Sequence, residues 1–414
     1  MSAAAPACRA CGAPLTTTFV DLGETPLANS YLTAEDVAAG SERRFPLHAR
    51  VCGACFLVQV DDPVDPAAIF SDYAYFSSMS DSWVEHARRY ALAMIDRFRL
   101  GPRSMVVEIA SNDGYLLRHF LAAGVPALGV EPAANVAAAA VARGVPTEVA
   151  FFGRATAERL VARGVSADLT AANNVLAHVP DIRDFVAGFA ILLAPEGVAT
   201  FEFPHLLNLI RDVQFDTIYH EHFSYLSLIA VEAAFAAGGL RAFDVEELPT
   251  HGGSLRLYAC RAGAAHRESE RLGALRARER AAGLARLDAY RGFAPRVEAI
   301  KRDVLAFLAA ARGEGKRVAA YGAAAKGNTF LNVCGIGADD ILCVFDRSPA
   351  KQGRLLPGSH IPILAPERLA DVRPDYLIVL PWNLLDELRS QTMAIAEWGG
   401  RWVIALPRLR TIAP

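Results

Sequence analysis

From Ser104 onward the chain alternates short, nearly continuous apolar runs with longer amphipathic stretches. Met105–Ile109, Ala127–Val130, Leu169–Ala172 and Val198–Phe203 form one series. Arg317–Tyr321, Ile341–Phe345 and Tyr376–Leu380 form a second. Runs of this kind lack the in–out alternation of a half-solvated strand and read as parallel strands buried on both faces, with helices crossing between them. The two series predict two doubly wound α/β units. Between them, residues 264–312 are Arg-rich, with acids and bases alternating over helically spaced apolar positions, which predicts a connecting helix with a solvated face. Ahead of them, Phe56–Val60 reads as a short strand and Asp61–Pro66 as a turn. The aromatic segment Tyr73–Ser82 then leads into a helix beginning near Asp81. The expected divisions are 1–75, 76–263, a helical connector 264–315, and 316–414.

Composition narrows the function. The chain has 414 residues and a net charge of −3, long enough for several cores. Its basic residues are interleaved with acids rather than gathered in a stripe, so no nucleic-acid partner is expected. No unbroken run of 18 apolar residues appears and the start lacks a charged-then-apolar leader, so no membrane partner is expected and the cytoplasm is the expected compartment. Four of the seven cysteines form two Cys-x-x-Cys pairs, Cys8/Cys11 and Cys52/Cys55, set among small residues. Four thiolates in two knuckles match one tetrahedral zinc, which leaves no open position and therefore a structural metal. A redox dithiol would need one pair inside a βαβ pattern, and neither pair is so placed. Cys260, Cys334 and Cys343 show no spaced pairing and are expected as reduced core residues without disulfides.

Glu108-Ile-Ala-Ser-Asn-Asp113-Gly114 closes the first strand of the first series and opens a helix, and Gly129-Val-Glu131-Pro132 ends the second strand. Asp113 and Glu131 are expected to face one crevice, Glu131 being placed to accept two ribose hydroxyls. S-adenosylmethionine and NAD both present such a ribose. The turn has no Gly-x-Gly-x-x-Gly to admit a pyrophosphate, which favours the methyl donor.

Together with both knuckles, these segments resemble the S-adenosylmethionine-dependent nucleotide-sugar C-3 methyltransferases of deoxysugar and antibiotic biosynthesis. So do Asn173–Pro180, Tyr219-His-Glu-His-Phe223, His251-Gly-Gly253 and Tyr321-Gly-Ala-Ala-Ala-Lys-Gly327. The resemblance spans essentially the whole chain. It departs at Ala110, where some relatives have glycine. It implies an α/β fold: a small N-terminal zinc-binding domain, a central class I methyltransferase Rossmann-like domain, and a C-terminal Rossmann-like domain that binds the nucleotide sugar. It further implies donor contacts at Glu108, Asn112, Asp113, Gly114, Glu131 and Asn173.

Tyr219, His220, Glu221 and His222 lie within four residues, flanked by aromatics. Methylation of a carbon beside a ketone needs a base for the α-proton and donors for the enolate oxygen, and histidine and tyrosine supply both. The resemblance implies a thymidine-diphosphate-linked 4-keto-deoxysugar as substrate. His222 would be its base and Glu221 would orient an imidazole, with Tyr219, His178 and Tyr75 on the sugar oxygens. Val318–Asn328 reads as strand, tight turn and helix start, a geometry that offers amides to an anion. The resemblance places substrate contacts at Tyr321, Lys326, Asn328 and Lys351, with Lys326 and Lys351 on the diphosphate. An NAD-dependent oxidoreductase with a structural zinc and a non-enzymatic zinc-ribbon interaction protein are the alternatives. The first lacks the dinucleotide fingerprint and the second leaves the Tyr219–His222 cluster unexplained.

Overall fold

The computed structural model of the chain describes residues 6–61 and 76–414 and contains three sheets. The first is antiparallel, in the order Thr17–Thr25, Phe45–Val51, Val58–Val60, Ser224–Tyr225. Its fourth strand therefore comes from far along the chain, pairing Val58 with Tyr225 and Gln59 with Ser224. The expected strand at Phe56 begins two residues later. Phe56 has φ +61° and its amide donates to Cys52 O at 3.1 Å, closing the second knuckle.

The central sheet has seven strands in the order Leu240–Leu248, Ser254–Arg261, Leu193–Pro204, Ala167–Asn173, Val106–Ile109, Ala127–Glu131, Thr147–Val149. Only Ser254–Arg261 runs against its neighbours. The chain leaves Val106–Ile109 first towards Ala127–Glu131 and later returns on the opposite side with Ala167–Asn173, which makes that strand the switch point where a ligand crevice opens. The third sheet repeats the plan in smaller form, in the order Ile363–Leu364, Val344–Phe345, Val318–Tyr321, Tyr376–Val379, Arg401–Ile404, with Arg410–Ile412 antiparallel at the edge. Val344–Phe345 is shorter than the apolar run at Ile341 suggested. Among the described residues, no helix is long and apolar enough to cross a membrane.

The connecting segment is more than a spacer. The helix Phe293–Gly313 buries Phe293, Val297, Ile300, Val304, Leu308 and Ala311 at helical spacing. Phe293 stacks on Phe19 of the first sheet with ring centroids 4.4 Å apart, and one apolar core runs from the first sheet through this helix into the third. The preceding helix, Glu270–Ala281, overturns the expectation of a merely solvated charged face. Its Glu279 is fully buried. Glu279 Oε1 accepts from the Leu228 amide and from His205 Nε2, both at 2.7 Å, and Oε2 accepts from the Ile229 amide at 2.9 Å. A carboxylate thus sits on the amino end of the helix Leu228–Ala237, where free amides and the helix dipole favour negative charge. Acids and bases alternate along this stretch without marking which one turns inward.

Glu279→Ala would leave a buried imidazole and two amides without their acceptor. It should lower the unfolding free energy by about 3–5 kcal/mol, against under about 0.5 kcal/mol for Arg280→Ala on the exposed face. Chemical denaturation of the two variants beside the parent measures the contrast.

Candidate active site and zinc centre

The four knuckle cysteines converge. Their sulfurs all lie within 4.8 Å of one another, with Cys8–Cys55 and Cys11–Cys52 both at 3.5 Å. A tetrahedron of Zn–S bonds has sulfurs about 3.8 Å apart. The amides of Ala54 and Cys55 point at Cys52 Sγ, and Gln59 Nε2 donates to Cys8 Sγ at 3.2 Å. A thiol proton donated by Cys55 pulls the Cys8 sulfur towards thiolate. The donor set and its hydrogen bonds fit a zinc held by Cys8, Cys11, Cys52 and Cys55.

At the switch point the chain turns sharply over residues 110–114. Ala110 and Asn112 have φ +54° and +49°, and Gly114 has +77°. A left-handed alanine costs roughly 1–2 kcal/mol, so Ala110 keeps the conformation a glycine would take freely. A Cβ on Gly114 would meet Val145 Cγ2 at 2.7 Å, so this glycine is required by packing as well. Glu131 clamps the turn, accepting from the Asn112 and Ala133 amides at 2.9 Å each. Asp113 is held through one of its two oxygens. Its Oδ2 is engaged by Ser78 Oγ and by Arg143 Nη1, while the Ser77 amide donates to Asn112 Oδ1 at 2.8 Å. Asp113 and Asn112 thus fasten the Ser77–Met79 turn over the crevice. Glu108 is buried, and burial together with the charges of Glu131 and Asp113 raises its pKa well above the carboxylate range. Burial raises that of Glu131 too. Glu108 Oε2, Ser111 Oγ, Asp113 Oδ1 and Asn173 Oδ1 are buried with no partner among the described residues. Such a ring of unsatisfied polar atoms at the carboxyl ends of parallel strands fits a polar, nucleoside-bearing ligand.

The Tyr219–His222 segment forms the opposite wall. His222 Nδ1 lies 2.9 Å from Thr217 O, an acceptor only, so Nδ1 carries the proton. His222 Nε2 is then the basic nitrogen, and Tyr219 OH donates to it at 2.8 Å. His178 packs edge-on against His222, centroids 4.6 Å apart, and donates from Nδ1 to Glu221 O at 2.7 Å. Burial, with help from His178 and Lys326, holds His222 well below the usual imidazole range. Burial also takes His178 to about 4.

The expected role of Glu221 changes here. Its backbone carbonyl orients an imidazole, and its carboxylate accepts from Asn29 Nδ2 of the N-terminal unit at 2.8 Å. Burial raises the carboxylate's pKa. His220 leaves the site altogether and bonds to Pro46 O. Tyr75 lies outside the described residues.

The C-terminal residues divide. Lys326 Nζ faces the His222 crevice, 5.5 Å over the Trp382 ring, whose Nε1 donates to Asp216 Oδ2 at 2.8 Å. Lys351 Nζ folds back onto Ala323 O at 2.8 Å and onto Asp346 at 3.5 Å. Lys351 thus satisfies the turn's own carbonyl, whereas Lys326 lies over Trp382. Tyr321 and Asn328 are buried, and the Asn328 carbonyl accepts from Asn332 Nδ2.

Sequence reasoning assigned no role to four residues near the site. Asn29 and Asp216 stand in unremarkable contexts. Trp382 follows a strand end and gives no sign of its partner. His251 did carry a signal, the Gly252-Gly253 pair. His251 has φ +54°, its ring lies 5.5 Å from Trp83, and a Cβ on Gly252 would strike Trp382 at 2.5 Å. Burial, then Lys326, takes its pKa to about 4.

Comparison with known proteins accounts for all three parts. Family models match as a zinc binding domain over 8–70, a methyltransferase domain over 83–245 and a C-methyltransferase C-terminal domain over 249–407. The C-methyltransferase NovU of Streptomyces niveus is 38% identical over 406 residues, covering 98% of this chain and 96% of that protein. Among solved structures, the magnesium protoporphyrin IX methyltransferase of Synechocystis PCC 6803 with bound SAM aligns at 14% identity and TM-score 0.32, over 44% of this chain and 79% of that one. An S-adenosylmethionine-dependent methyltransferase from Clostridium acetobutylicum aligns at 10% and 0.35, over 44% and 92%. These two scores are too low to carry an argument. The full-length match and the sheet order, with its single antiparallel strand, settle the assignment: the chain is a member of the S-adenosylmethionine-dependent C-methyltransferase family, with an N-terminal zinc-binding domain, a class I methyltransferase domain and a C-terminal α/β domain.

Proposed function

We propose that the chain methylates carbon 3 of a thymidine-diphosphate-linked 4-keto-deoxysugar. The observation that carries this reading is the Tyr219–His222 pair. A neutral imidazole with its tautomer fixed by Thr217 O lies in a sequestered crevice beside a phenol and a second neutral imidazole, His178. That is the equipment for removing a weakly acidic C–H and holding the oxygen of the resulting enolate. In this reading His222 Nε2 takes the carbon-3 proton once the sugar displaces the Tyr219 hydroxyl from it. Tyr219 and His178 then hold the sugar's oxygens, and Glu221, fixed by Asn29, accepts from a donor on the ring. When bound, S-adenosylmethionine supplies an electrophilic methyl group. Glu131 and the unsatisfied atoms of Glu108, Ser111 and Asn173 hold and orient its polar parts. We place the nucleotide end over the C-terminal unit.

Glu131→Ala removes both the ribose acceptor and the clamp on the Asn112 amide. S-adenosylhomocysteine affinity should fall by about ten-fold or more in calorimetry, the loss of one or two charge-assisted hydrogen bonds. Parent-like affinity would place the donor elsewhere.

His222→Asn should keep both ligands yet stop exchange of the substrate's carbon-3 hydrogen with deuterated solvent. A base must be neutral to act, and His222 sits below its ordinary pKa near 6.5. The acid limb of kcat/KM should therefore fall below pH 6.5, with activity flat above it. Exchange that survives in His222→Asn and disappears in Tyr219→Phe would make the phenol the base.

A further inference from the structure

Lys326 is the one cation in the crevice whose charge the described protein leaves unanswered. Its stem is partly exposed, but Nζ is out of solvent and has no hydrogen-bond partner among the described residues. A buried ammonium without hydrogen bonds is costly, and a tryptophan face together with an acid beyond bonding distance offsets only part of that cost. The acid is Asp216. One of its oxygens takes the Trp382 indole while the other, Oδ1, is also buried without a partner among the described residues. The next residue, Thr217, is the one whose carbonyl fixes the His222 tautomer. The helix that carries Lys326, Ala325–Cys334, packs directly on this turn, with Phe330 and Phe215 rings 6.0 Å apart. Lys326 and His222 are therefore linked through Trp382, Asp216 and Thr217, the lysine's charge reaches the imidazole, and the two come from different units of the chain.

The turn before that helix is filled by protein groups. Asp346 Oδ2 accepts from the Ala323 amide at 2.8 Å, and Ala323 O accepts from Tyr31 OH at 2.7 Å and from Lys351 at 2.8 Å. A Cβ on Gly322 would lie 2.4 Å from Pro381 Cγ, so that glycine is pressed against carbon. A diphosphate laid on this turn would meet the Asp346 carboxylate. The lysine instead lies over Trp382, where its charge acts on His222 and His251.

We propose that Lys326 binds the acceptor's carbonyl oxygen, beside the carbon that is methylated, and stabilises the negative charge that develops there. The inference rests on the reading of the acceptor as a 4-keto sugar. As the carbon-3 C–H bond breaks, the proton passes to the Tyr219–His222 pair. The C–H electrons form the carbon 3–carbon 4 double bond, and the carbonyl π electrons move onto the oxygen facing Lys326. Carbon 3 then forms its bond to the methyl group, the methyl–sulfur bond breaks with its electrons going to sulfur, and the carbonyl is restored. The extra proton leaves the imidazole for solvent. An ammonium at this oxygen favours the enolate. It also disfavours imidazolium at His222 until that negative charge exists, so proton removal and charge stabilisation are coupled.

Lys326→Met and Lys326→Arg test the proposal, with S-adenosylhomocysteine affinity as the control for folding. Lys326→Met should lower kcat by about 100-fold or more, the usual cost of removing one oxyanion donor, and abolish carbon-3 exchange. Affinities for thymidine diphosphate and S-adenosylhomocysteine should change less than about two-fold, and Lys326→Arg should recover part of kcat. A ten-fold loss of thymidine diphosphate affinity with exchange retained would return the lysine to the diphosphate and overturn the proposal. A second readout needs no substrate. In histidine-labelled protein, Lys326→Met should raise the titration midpoints of His222 and His251, which share the crevice with His178 and Asp216. Unmoved midpoints would overturn the proposal. If the parent enzyme neither exchanges nor methylates any 4-keto nucleotide sugar, the acceptor reading fails, and raised midpoints would still support Lys326 as a cation of the reacting crevice.

Discussion

The site depends on a two-residue backbone pairing. Val58 with Tyr225 and Gln59 with Ser224 join the N-terminal sheet to a strand that begins two residues after His222, and the Val60 amide reaches Phe223 O at 3.1 Å. Without that ladder, residues 215–225 would be a long loop between two central-domain helices. With it, the segment is stretched between the N-terminal sheet and the helix that carries Lys326, and His222 is fixed by its own neighbour's carbonyl. His222 therefore stands at the meeting of all three units: His178 and His251 come from the central unit, Asn29 from the first, and Lys326 and Trp382 from the last.

Burial acts in opposite directions on the two ends of the cleft. Around His222 it depresses His178, His222 and His251, leaving neutral imidazoles that can receive a proton. At the 110–114 turn it raises Glu108 and Glu131, which reduces the charge gathered where three carboxylates crowd together. Glu202 shows what pairing does in the same interior. Burial pushes it up, yet His86 and Arg256 bring it below the carboxylate range, and His86 in turn stacks on Trp83 beside His251. A charge with fixed partners is retained in this interior, and one without them is neutralised or awaits a ligand. Lys326 belongs to the second group.

The parts of the protein that were legible in the sequence are those governed by local spacing. Two Cys-x-x-Cys pairs specify their own geometry, and continuous apolar runs separated by helical stretches specify buried parallel strands. The turn at 110–114 announced itself by its place between strand and helix, even with alanine in a left-handed conformation. What was not legible is where long side chains point once distant segments meet. Lys326 and Lys351 look alike as basic residues a few positions after strands of the third sheet, yet one lies over Trp382 and the other turns back on Ala323 O. Glu221 sits between two histidines in sequence, but its carboxylate finds Asn29, 192 positions away. Glu279 lies in a stretch of alternating charges and is the one that turns inward to cap a helix. In each case the deciding neighbour is supplied by tertiary packing, and spacing along the chain carries no record of it.

The four-cysteine cluster, which would leave a bound zinc no open position, is tied into the same framework. Gln59 is almost fully buried, and its side chain joins the sulfur cluster to the first knuckle's backbone, donating to Cys8 Sγ and accepting from the Arg9 amide at 3.0 Å. Its main chain is half of the ladder to Ser224. Arg9, inside the first knuckle, reaches Val60 O on that strand and Pro180 O at 3.2 Å, two residues beyond His178. Each route from the cysteines to the two facing imidazoles therefore passes through one or two hydrogen bonds. A cluster that holds the knuckles closed also holds the Val58–Val60 strand in register. A one-residue slip of that strand would turn every side chain on it to the other face and carry the Ser224–Tyr225 pairing, with His222 just before it, out of place.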